Sequence, residues 1–426
     1  MLENPTINKE NVKIKRALVS VFDKTGLVEL GHSLEGLGIE ILSTGGSAKT
    51  LRDSGVSVTD VSDYTKFPEI MDGRVKTINP LVEGGILGLR DKHNKDAEDN
   101  NIKWIDLVVC NLYPFSETIN KDDCDLAMAL ENVDIGGPTM IRSAAKNVGW
   151  VTVVVDPSDY PALAKDLSND NSIRYETREM FSAKAFGHTA QYDVIIHNYM
   201  KGTPLSDEFS LTYEKHSEMR YGENPHQAAA AYKISGDSSN SVLNAKIHQG
   251  KKLSYNNIMD ADAAFSCLKE FEETACVIVK HANPCGVSKG ENMLEVYKQA
   301  FNADSLSAFG GVIAMNKQCD ELVAKEISKV FVEIVLAPSF TKEALEIFST
   351  KKNLRVLEVG NIKPREKLLE VRNVVGGIIV QETDTSVIQK QDLKTVTTAK
   401  PSDLEVETML FGGKVLKHIK SNGILI

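Results

Sequence analysis

The chain has 426 residues, of which 42% are hydrophobic and 25% are charged, and its formal net charge at pH 7 is -10. This composition is typical of a globular protein of two or three domains and excludes a disordered chain. No stretch reaches the roughly 18 apolar residues of a membrane span, and the interspersed acidic charge argues against a nucleic-acid partner. Residues 1–16 lack the apolar core of a secretory signal, so we expect a cytoplasmic protein with no membrane partner.

The six cysteines are spaced like neither a metal site nor a disulfide framework, and no two form a C-x-x-C pair. Reduced, mostly buried thiols are therefore expected. Zinc deaminases combine H-x-E with P-C-x-x-C, whereas Pro284-Cys285 is followed here by Gly286, Val287 and Ser288. We therefore expect no zinc and no other metal.

Short β-rich runs alternate with helical segments between residues 16 and 155. Strands that alternate with helices indicate a mostly parallel sheet covered on both faces. Helices are expected to end near Leu37 and Ser54, after the turns D-K-T-G and T-G-G-S. The predicted strands are 17–22, 39–43, 105–110 and 151–155.

The rest of the chain is predicted to contain a bridging region and a second α/β domain. Residues 156–205 are charged, helical in pattern and without a strand signal. Near the C-terminus, residues 404–421 predict a helix containing Gly412 and Gly413, each costing about 1 kcal/mol relative to alanine. Residues 423–426 are apolar and predict the first residues of a strand.

The segment 277–286, V-I-V-K-H-A-N-P-C-G, joins a predicted buried strand to two ionisable residues. Lys280 and His281 follow the strand directly, and Asn283 and Pro284 then predict a turn. Ligands of open α/β sheets bind beyond strand ends. There a histidine can act as a base and a lysine can stabilise developing charge. The alternative is an ordinary polar turn.

Two strand-to-helix turns in the first domain, 20–26 and 43–47, contain glycine and hydroxyl residues. Free N–H groups at a helix N-terminus bind phosphate, and glycine lets the anion approach. Both turns are therefore candidate phosphate sites. The alternative is that they are plain β–α connections, most of which contain such residues.

Further polar groups follow in the same domain. The segment 73–77, G-R-V-K-T, supplies two cations and a hydroxyl. Tyr113 follows a predicted strand, where a parallel sheet presents ligands, and its alternative is a core aromatic residue. Asp134 precedes a predicted helix, and Lys146 lies about three turns along it. Their alternatives are a helix cap and a solvated lysine.

Three polar segments of the second domain each have a plain turn interpretation: R-Y-G-E-N-P-H-Q at 220–227, L-S-Y-N-N at 253–257 and S-A-F-G-G at 307–311. The pattern also includes D-K-T-G, S-T-G-G, G-R-V-K-T, N-L-Y-P-F, D-I-G-G-P-T, R-S-A-A-K-N and K-H-A-N-P-C-G. In this order, over nearly the whole chain, it resembles the bifunctional purine-biosynthesis family. That family joins aminoimidazole carboxamide ribonucleotide (AICAR) transformylase to inosine monophosphate (IMP) cyclohydrolase.

The resemblance implies an α/β chain of several parts. A methylglyoxal-synthase-like parallel-sheet domain at 1–155 would carry the cyclohydrolase, and a helical bridging region would follow at 156–205. A cytidine-deaminase-like α/β transformylase region would have its first half at 206–390. Residues 391–426 would begin a second half that is incomplete. A homodimer is also implied.

The resemblance further implies two reactions. A formyl group would pass from the cosubstrate 10-formyltetrahydrofolate to the amine of AICAR, with His281 removing a proton and Lys280 stabilising the formyl group. Formyl-AICAR would then close to IMP with loss of water, assisted by Lys76, Tyr113, Asp134 and Lys146. The nucleotide-binding residues would be Ser20, Lys24, Thr44, Gly46, Arg74, Thr77, Asn111, Arg220, Tyr221, Asn257 and Gly310, and Asn422 would bind folate.

The chain departs from the family pattern at several positions. Phe22 stands where the family usually has serine, and Asn79 and Glu83 stand where it usually has histidine. Glu83 would repel an anionic ligand if it faced the site. Gly413 stands where a tryptophan is usual, which predicts a packing defect.

Family members continue beyond the segment that matches Ser421 and Asn422. We therefore expect the transformylase to be impaired and the cyclohydrolase domain to be whole. A cyclohydrolase-only enzyme and an inactive nucleotide-binding remnant are the alternatives. A methylglyoxal synthase is disfavoured by the purine motifs.

Overall fold

The computed structural model describes residues 6–234, 237 and 239–426, so the first five residues of the polar N-terminal stretch lie outside the described part. The chain divides into two compact units, Met1–Leu211 and Thr212–Ile426. No helix in the described ranges is both long and apolar enough to cross a membrane.

The first unit is an α/β domain built around a parallel sheet. Its elements are β1 (Val12–Lys13), β2 (Arg16–Ser20), α1 (Leu27–Gly36), β3 (Glu40–Ser43), α2 (Gly45–Asp53), β4 (Thr59–Asp60), α3 (Val61–Thr65), α4 (Pro80–Leu87), α5 (Asn94–Asp99), β5 (Leu107–Cys110), α6 (Phe115–Ile119), α7 (Leu126–Glu131), α8 (Gly136–Lys146), β6 (Thr152–Val154), α9 (Tyr160–Leu167), β7 (Ser172–Ile173) and α10 (Tyr175–Met200). Five parallel strands follow the order β4-β3-β2-β5-β6, which confirms the predicted sheet.

The parallel sheet is covered by helices on both faces, and successive side chains of each strand point to opposite faces. Ala17 and Val19 of β2 pack in a core with α1 and α9. Leu18, between them, packs in a second core with α4, α8 and α10. The carboxyl ends of β2, β3 and β5 therefore meet at one edge, held by apolar packing on either side.

The predicted bridging region, 156–205, lies within the first unit. Phe181 of α10 is buried in one core of the sheet, and Ala185 and Tyr192 are buried in the other. The region also contains β7, which pairs with β1 and which the sequence pattern did not predict because it is only two residues long. Residues 160–200 thus contribute to both cores of the first unit.

The second unit is a mixed α/β domain. Its elements are β8 (Glu214–Glu218), β9 (Ala230–Lys233), β10 (Lys246–Gln249), α11 (Tyr255–Leu268), β11 (Thr274–Lys280), β12 (Asn283–Gly290), α12 (Met293–Ala303), α13 (Ser305–Ala308), β13 (Val312–Met315), α14 (Glu321–Ile327), β14 (Ile334–Ala337), α15 (Lys342–Ser349), β15 (Arg355–Glu358), β16 (Leu369–Val374), β17 (Gly377–Glu382) and α16 (Asp403–Leu416). Its six-stranded sheet has the order β10-β15-β14-β13-β11-β12, in which β13, β14 and β15 are parallel. Short 3₁₀ turns occur at Pro157–Asp159, Val242–Asn244 and Lys390–Asp392.

The turn predicted at Asn283 and Pro284 is wrong in position. The turn residues are His281 and Ala282, and Asn283–Gly290 returns antiparallel to β11 as the edge strand β12. Proline is tolerated on an edge strand and at a bulge, where no ladder hydrogen bond from its nitrogen is needed. The register of β11 and β12 shifts at Val279, which pairs with Pro284.

The C-terminal helix is shorter than predicted. It runs from Asp403 to Leu416, begins with a capping box between Ser402 and Glu405, and contains both predicted glycines. A methyl group added at Gly413 would lie 3.7 Å from Cδ1 of Ile388. A cavity of about 530 Å³, lined in part by Ile388 and Phe411, borders this helix.

The strand predicted at 423–426 is not formed. An apolar run forms a strand only when a neighbouring strand supplies hydrogen bonds, and the exposed Ile424 and Ile426 pack against little.

Candidate active sites

The two predicted phosphate turns lie side by side at the carboxyl edge of the parallel sheet. The hydroxyl oxygens of Ser20 and Thr44 are 3.4 Å apart. A methyl group added at Gly46 would lie 3.7 Å from Nζ of Lys24, so the cation faces the start of α2. Thr44 precedes that helix without a side-chain cap, which leaves its first N–H groups open to an anion.

Asn111 shapes the loop that follows β2. Its Oδ1 accepts hydrogen bonds from the backbone N–H of Phe22 at 2.6 Å and of Asp23 at 3.0 Å. Its Nδ2 donates to the carbonyl oxygen of Asp23 at 3.1 Å. The rings of Phe22 and Tyr113 meet edge to face with centroids 5.5 Å apart. Phe22, which stands where the family usually has serine, thus contacts Tyr113, a predicted catalytic residue.

Asp134 lies at the N-terminus of α8, near Lys76 and Tyr113. Its Oδ1 accepts a hydrogen bond from the backbone N–H of Gly137 at 2.8 Å, which is the helix-cap role given above as the alternative. Burial raises the pKa of its carboxyl, against the lowering effects of backbone hydrogen bonds from Gly137 and Tyr113 and the charge of Lys76. Asp134 therefore caps α8 and also lies near Lys76 and Tyr113.

The 73–77 segment lies against the same helix start. A methyl group at Gly136 would come within 2.8 Å of Oγ1 of Thr77, which is buried. Arg74 extends outward and forms an exposed ion pair with Glu131 of α7. Thr77 and Lys76 are thus brought to the Asp134 loop, whereas Arg74 is engaged by a neighbouring helix.

Lys146 is the predicted catalytic residue that the contacts do not join to the others. It is exposed in the last turn of α8, whose first residue is Gly136. Ten residues of helix span roughly 15 Å. Within the described residues, no hydrogen bond or ion pair links Lys146 to Lys76, Tyr113 or Asp134.

Asn79 and Glu83, which stand where the family usually has histidine, both make hydrogen bonds at α4. The side chain of Asn79 caps the helix by accepting from the N–H of Leu81 at 2.9 Å. Glu83 accepts a hydrogen bond from Oγ of Ser143 on α8 at 2.6 Å, and its other carboxylate oxygen is buried with no hydrogen-bond partner among the described residues. Burial raises the pKa of Glu83, and the bond from Ser143 only partly opposes this.

Lys280 connects the end of β11 to the glycine turn before β13. Its Nζ donates to the carbonyl oxygens of Gly310 at 2.9 Å and Phe309 at 3.2 Å. Gly310 has a φ of 69°. A methyl group there would lie 3.0 Å from Nζ of Lys280 and 3.3 Å from the ring of Phe331. Both the backbone conformation and the space require glycine at this position.

His281 follows at an exposed turn, and Asp260 on α11 accepts a hydrogen bond from the next N–H, that of Ala282, at 2.7 Å. Asn257 lies one helical turn before Asp260 and is buried, with its Oδ1 accepting from the N–H of Ser254 at 3.2 Å. The structure thus brings Asn257 close to the His281 turn through one helix. Sequence analysis missed Asp260, since an aspartate inside a helical pattern gives no distinct signal.

The remaining predicted residues are not joined to this group by the contacts of the described chain. Arg220 and Tyr221 lie in the loop between β8 and β9, with the guanidinium 5.6 Å from the ring centroid. That loop is closed by the N–H of Gly222, which donates to the carbonyl oxygen of Gln227 at 2.8 Å. Asn422 is exposed and accepts a hydrogen bond from Oγ of Ser421 at 2.9 Å.

All six cysteines are free thiols. Among the described residues, no group of three or more His, Cys, Asp or Glu is arranged to hold a metal ion.

Comparisons with known proteins agree with the motif pattern. Residues 144–426 match the AICARFT/IMPCHase bienzyme family, and residues 26–139 match the MGS-like domain family. The bifunctional purine biosynthesis protein PurH of Acetivibrio thermocellus is 49% identical over 421 residues, which cover 97% of this chain and 82% of that protein. The crystal structure of ForH is 33% identical, with a TM-score of 0.39 over 43% of this chain and 96% of that one.

The two family matches confirm the expected order of an MGS-like domain followed by a transformylase region in an α/β protein. The chain belongs to the AICARFT/IMPCHase bienzyme family.

Proposed function

We propose that this chain catalyses the last two steps of IMP synthesis. It would act first as phosphoribosylaminoimidazolecarboxamide formyltransferase on AICAR and then as IMP cyclohydrolase on formyl-AICAR. Support comes from family matches in both units and from a relative named as bifunctional. These matches do not favour the cyclohydrolase-only enzyme or the inactive remnant.

The observation that carries the proposal is the arrangement of Lys280 and His281 at the end of β11. Lys280 is held by two carbonyl oxygens of the 309–310 turn, and His281 is exposed beside it. In formyl transfer the amine nitrogen of AICAR bonds to the formyl carbon, and the bond from that carbon to N10 of the folate breaks. His281 takes the proton that the amine loses, N10 takes up a proton as tetrahydrofolate leaves, and Lys280 stabilises the negative charge on the formyl oxygen.

The second step takes place at the Asp134 loop of the first unit. The carboxamide nitrogen attacks the formyl carbon, and the formyl oxygen leaves as water when the ring closes. An amide is a poor nucleophile, so placement and charge stabilisation count for more than a strong base. Asp134, whose pKa is raised by burial, is suited to give a proton to the leaving oxygen, and Lys76 and Tyr113, which lie near it, would stabilise charge there. Lys146 would act from the far end of α8.

Nucleotide binding is proposed for residues at both sites. The open start of α2 and the cation of Lys24 are suited to a phosphate group. The remaining proposed contacts are Ser20, Thr44, Gly46, Arg74, Thr77 and Asn111 in the first unit and Arg220, Tyr221, Asn257 and Gly310 in the second. The cosubstrate is 10-formyltetrahydrofolate, with Asn422 as its proposed contact.

We further propose a cytoplasmic homodimer that acts on small molecules and not on nucleic acid. Free thiols suit a reducing compartment. The hairpin of β16 and β17 exposes Val375, Ile378 and Ile379, and a two-stranded hairpin is only marginally stable without a partner surface. No metal is required in either step, since Lys280 and Lys76 supply the positive charge.

The direct test is release of tetrahydrofolate by the purified chain given AICAR and 10-formyltetrahydrofolate. We expect turnover that falls to a small residual rate in His281→Ala and is retained in the control His216→Ala, since His216 lies on the exposed strand β8. Absence of turnover in the unaltered chain, or equal turnover in His281→Ala, would refute the transformylase assignment.

A further inference from the structure

The turn that carries His281 is conformationally costly. It is a two-residue hairpin loop, because Lys280 and Asn283 on either side are paired across the strands. His281 has a φ of 53° and Ala282 a φ of 57°. Side chains other than glycine pay roughly 1 kcal/mol or more for each left-handed residue, and such loops favour Asn-Gly. A His-Ala pair therefore needs support from outside the hairpin.

That support comes from Asp260. Its Oδ1 accepts a hydrogen bond from the N–H of Ala282 at 2.7 Å. A second bond within the loop, from Nδ2 of Asn283 to the carbonyl oxygen of His281, measures 3.0 Å. Asp260 lies in the 14-residue helix α11, whose start is fixed by a capping box between Ser254 and Asn257. The carboxylate of Asp260 thus links the turn to α11 by a hydrogen bond.

We propose that Asp260 is a positioning residue for formyl transfer. It holds the His281–Ala282 turn in its left-handed conformation, which fixes the backbone from which the imidazole extends. This inference rests on the proposed role of His281 as the proton acceptor. Asp260 itself reaches the backbone of Ala282 and acts on the reaction only through the turn.

The geometry also explains why one residue has this effect. Lys280 is fixed from the other side by the carbonyl oxygens of Phe309 and Gly310. Asp260 accepts from the N–H of Ala282, so the residues before and after His281 are both held by hydrogen bonds. Without the carboxylate, the turn can relax toward ordinary negative φ values and move the imidazole. A displacement of 1 Å at a catalytic group can cost about a hundredfold in rate.

The test compares Asp260→Ala, Asp260→Asn and the control Asp320→Ala in the full chain. Asp320 makes the same type of bond, accepting from the N–H of Val323 at 2.9 Å at the start of α14. We expect kcat for formyl transfer to fall about ten- to a hundredfold in Asp260→Ala, with the KM for AICAR changed less than about threefold. Asp260→Asn should recover most of the rate, because an amide oxygen still accepts the bond. Asp320→Ala should lower Tm and leave kcat unchanged.

Two further readouts separate positioning from general loss of structure. Hydrogen exchange of the Ala282 amide should become faster in Asp260→Ala and not in Asp320→Ala. In a His281→Ala background, Asp260→Ala should reduce the residual rate no further, since it acts only through His281.

The outcomes also separate this inference from the proposed function. A full rate in Asp260→Ala together with faster Ala282 exchange would overturn the positioning role alone. A further fall in the His281→Ala background would do the same. A full rate in His281→Ala would overturn the proposed function, and the positioning role with it.

Discussion

Lys280 donates a hydrogen bond to the carbonyl oxygen of Gly310 at 2.9 Å, which ties the end of β11 to the turn that enters β13. The two strands are antiparallel neighbours, so Lys280 and Gly310 lie at the same edge of the sheet. The ammonium is half-buried and directed by backbone oxygens rather than by a carboxylate. The backbone oxygens therefore direct the ammonium at the edge of the sheet where we propose that the oxyanion develops.

Replacing this charge should remove formyl transfer without unfolding the domain. We expect Lys280→Met to lower kcat for formyl transfer by about a hundred- to a thousandfold, the loss typical of an oxyanion-stabilising group. Steady-state release of tetrahydrofolate measures the change. Lys325→Met, which removes an exposed helical lysine paired with Glu321, should leave the rate unaltered. Similar losses in both variants would contradict a specific role for Lys280.

Asp134 should show a conflict between stability and activity. Burial raises the pKa of its carboxyl, so ionisation in the folded state costs stability as pH rises above the ordinary aspartate value. Asp134→Asn removes that cost and can still accept from the N–H of Gly137. We therefore expect an unchanged or higher Tm at pH 7 and a loss of ring closure of about a hundredfold or more. Calorimetry and IMP formation from formyl-AICAR measure the two effects. A fall in Tm with full activity would contradict this role.

Glu83 should lower the stability of the first unit at neutral pH. Burial raises its pKa, so the folded state holds the proton more tightly than the unfolded chain does. Stability should therefore fall as pH rises through the interval from the unfolded value to the raised folded value. We expect Glu83→Gln to stabilise the protein by about 1 kcal/mol at pH 8, after allowance for its partial exposure, and to have no effect near pH 4. Urea unfolding at both pH values measures this. Equal effects at pH 4 and pH 8 would show that ionisation of Glu83 is not the cause.

Glu270 should stabilise the second unit with the opposite pH dependence. Burial opposes its ionisation, but hydrogen bonds from His418 and Lys417 and the charge of Lys417 lower its pKa to about 2. Arg365 contributes a further ion pair at 3.3 Å. This stabilisation is complete above pH of about 4.5 and is lost as pH falls toward about 2.

Removing this charge leaves two mostly buried cations with weaker partners, because Lys417 keeps only its hydrogen bond to the carbonyl oxygen of Ser386 and Arg365 keeps its ion pair with Glu370. We expect Glu270→Gln to cost about 2–3 kcal/mol at pH 7, with the difference from the unaltered chain shrinking in acid. Glu272→Gln, at an exposed neighbouring position, should cost almost nothing. Denaturant unfolding between pH 3 and pH 7 measures the effect. A difference that stays constant over this range would refute the ion-pair account.

The apolar runs made the first domain predictable. Ala17 to Val19 and Leu107 to Cys110 are continuous buried runs, and a strand buried on both faces produces that pattern. The same reasoning failed at β12, because asparagine, proline and glycine usually mark turns. There the edge position of Pro284 and the close approach of Gly286 to the carbonyl oxygen of Ala300 override local preference.

The candidate sites were predictable from the sequence only where their residues lie close together along the chain. Lys280 and His281 are adjacent in sequence, and the turn containing Asp134 leads directly into α8. Contacts between residues that are far apart along the chain could not be predicted from the sequence. The bond from Ala282 to Asp260 and the bond from Ser143 to Glu83 depend on how separate elements pack, and neither leaves a spacing in the sequence.

We propose that each unit carries one of two successive reactions at its own site. The most direct test gives AICAR and 10-formyltetrahydrofolate to His281→Ala, to Asp134→Asn and to an equimolar mixture of the two, and measures IMP. We predict that His281→Ala alone forms almost no formyl-AICAR, that Asp134→Asn alone accumulates it, and that the mixture forms IMP. A mixture that forms no IMP, or a single variant that loses both reactions, would contradict the assignment of separate sites.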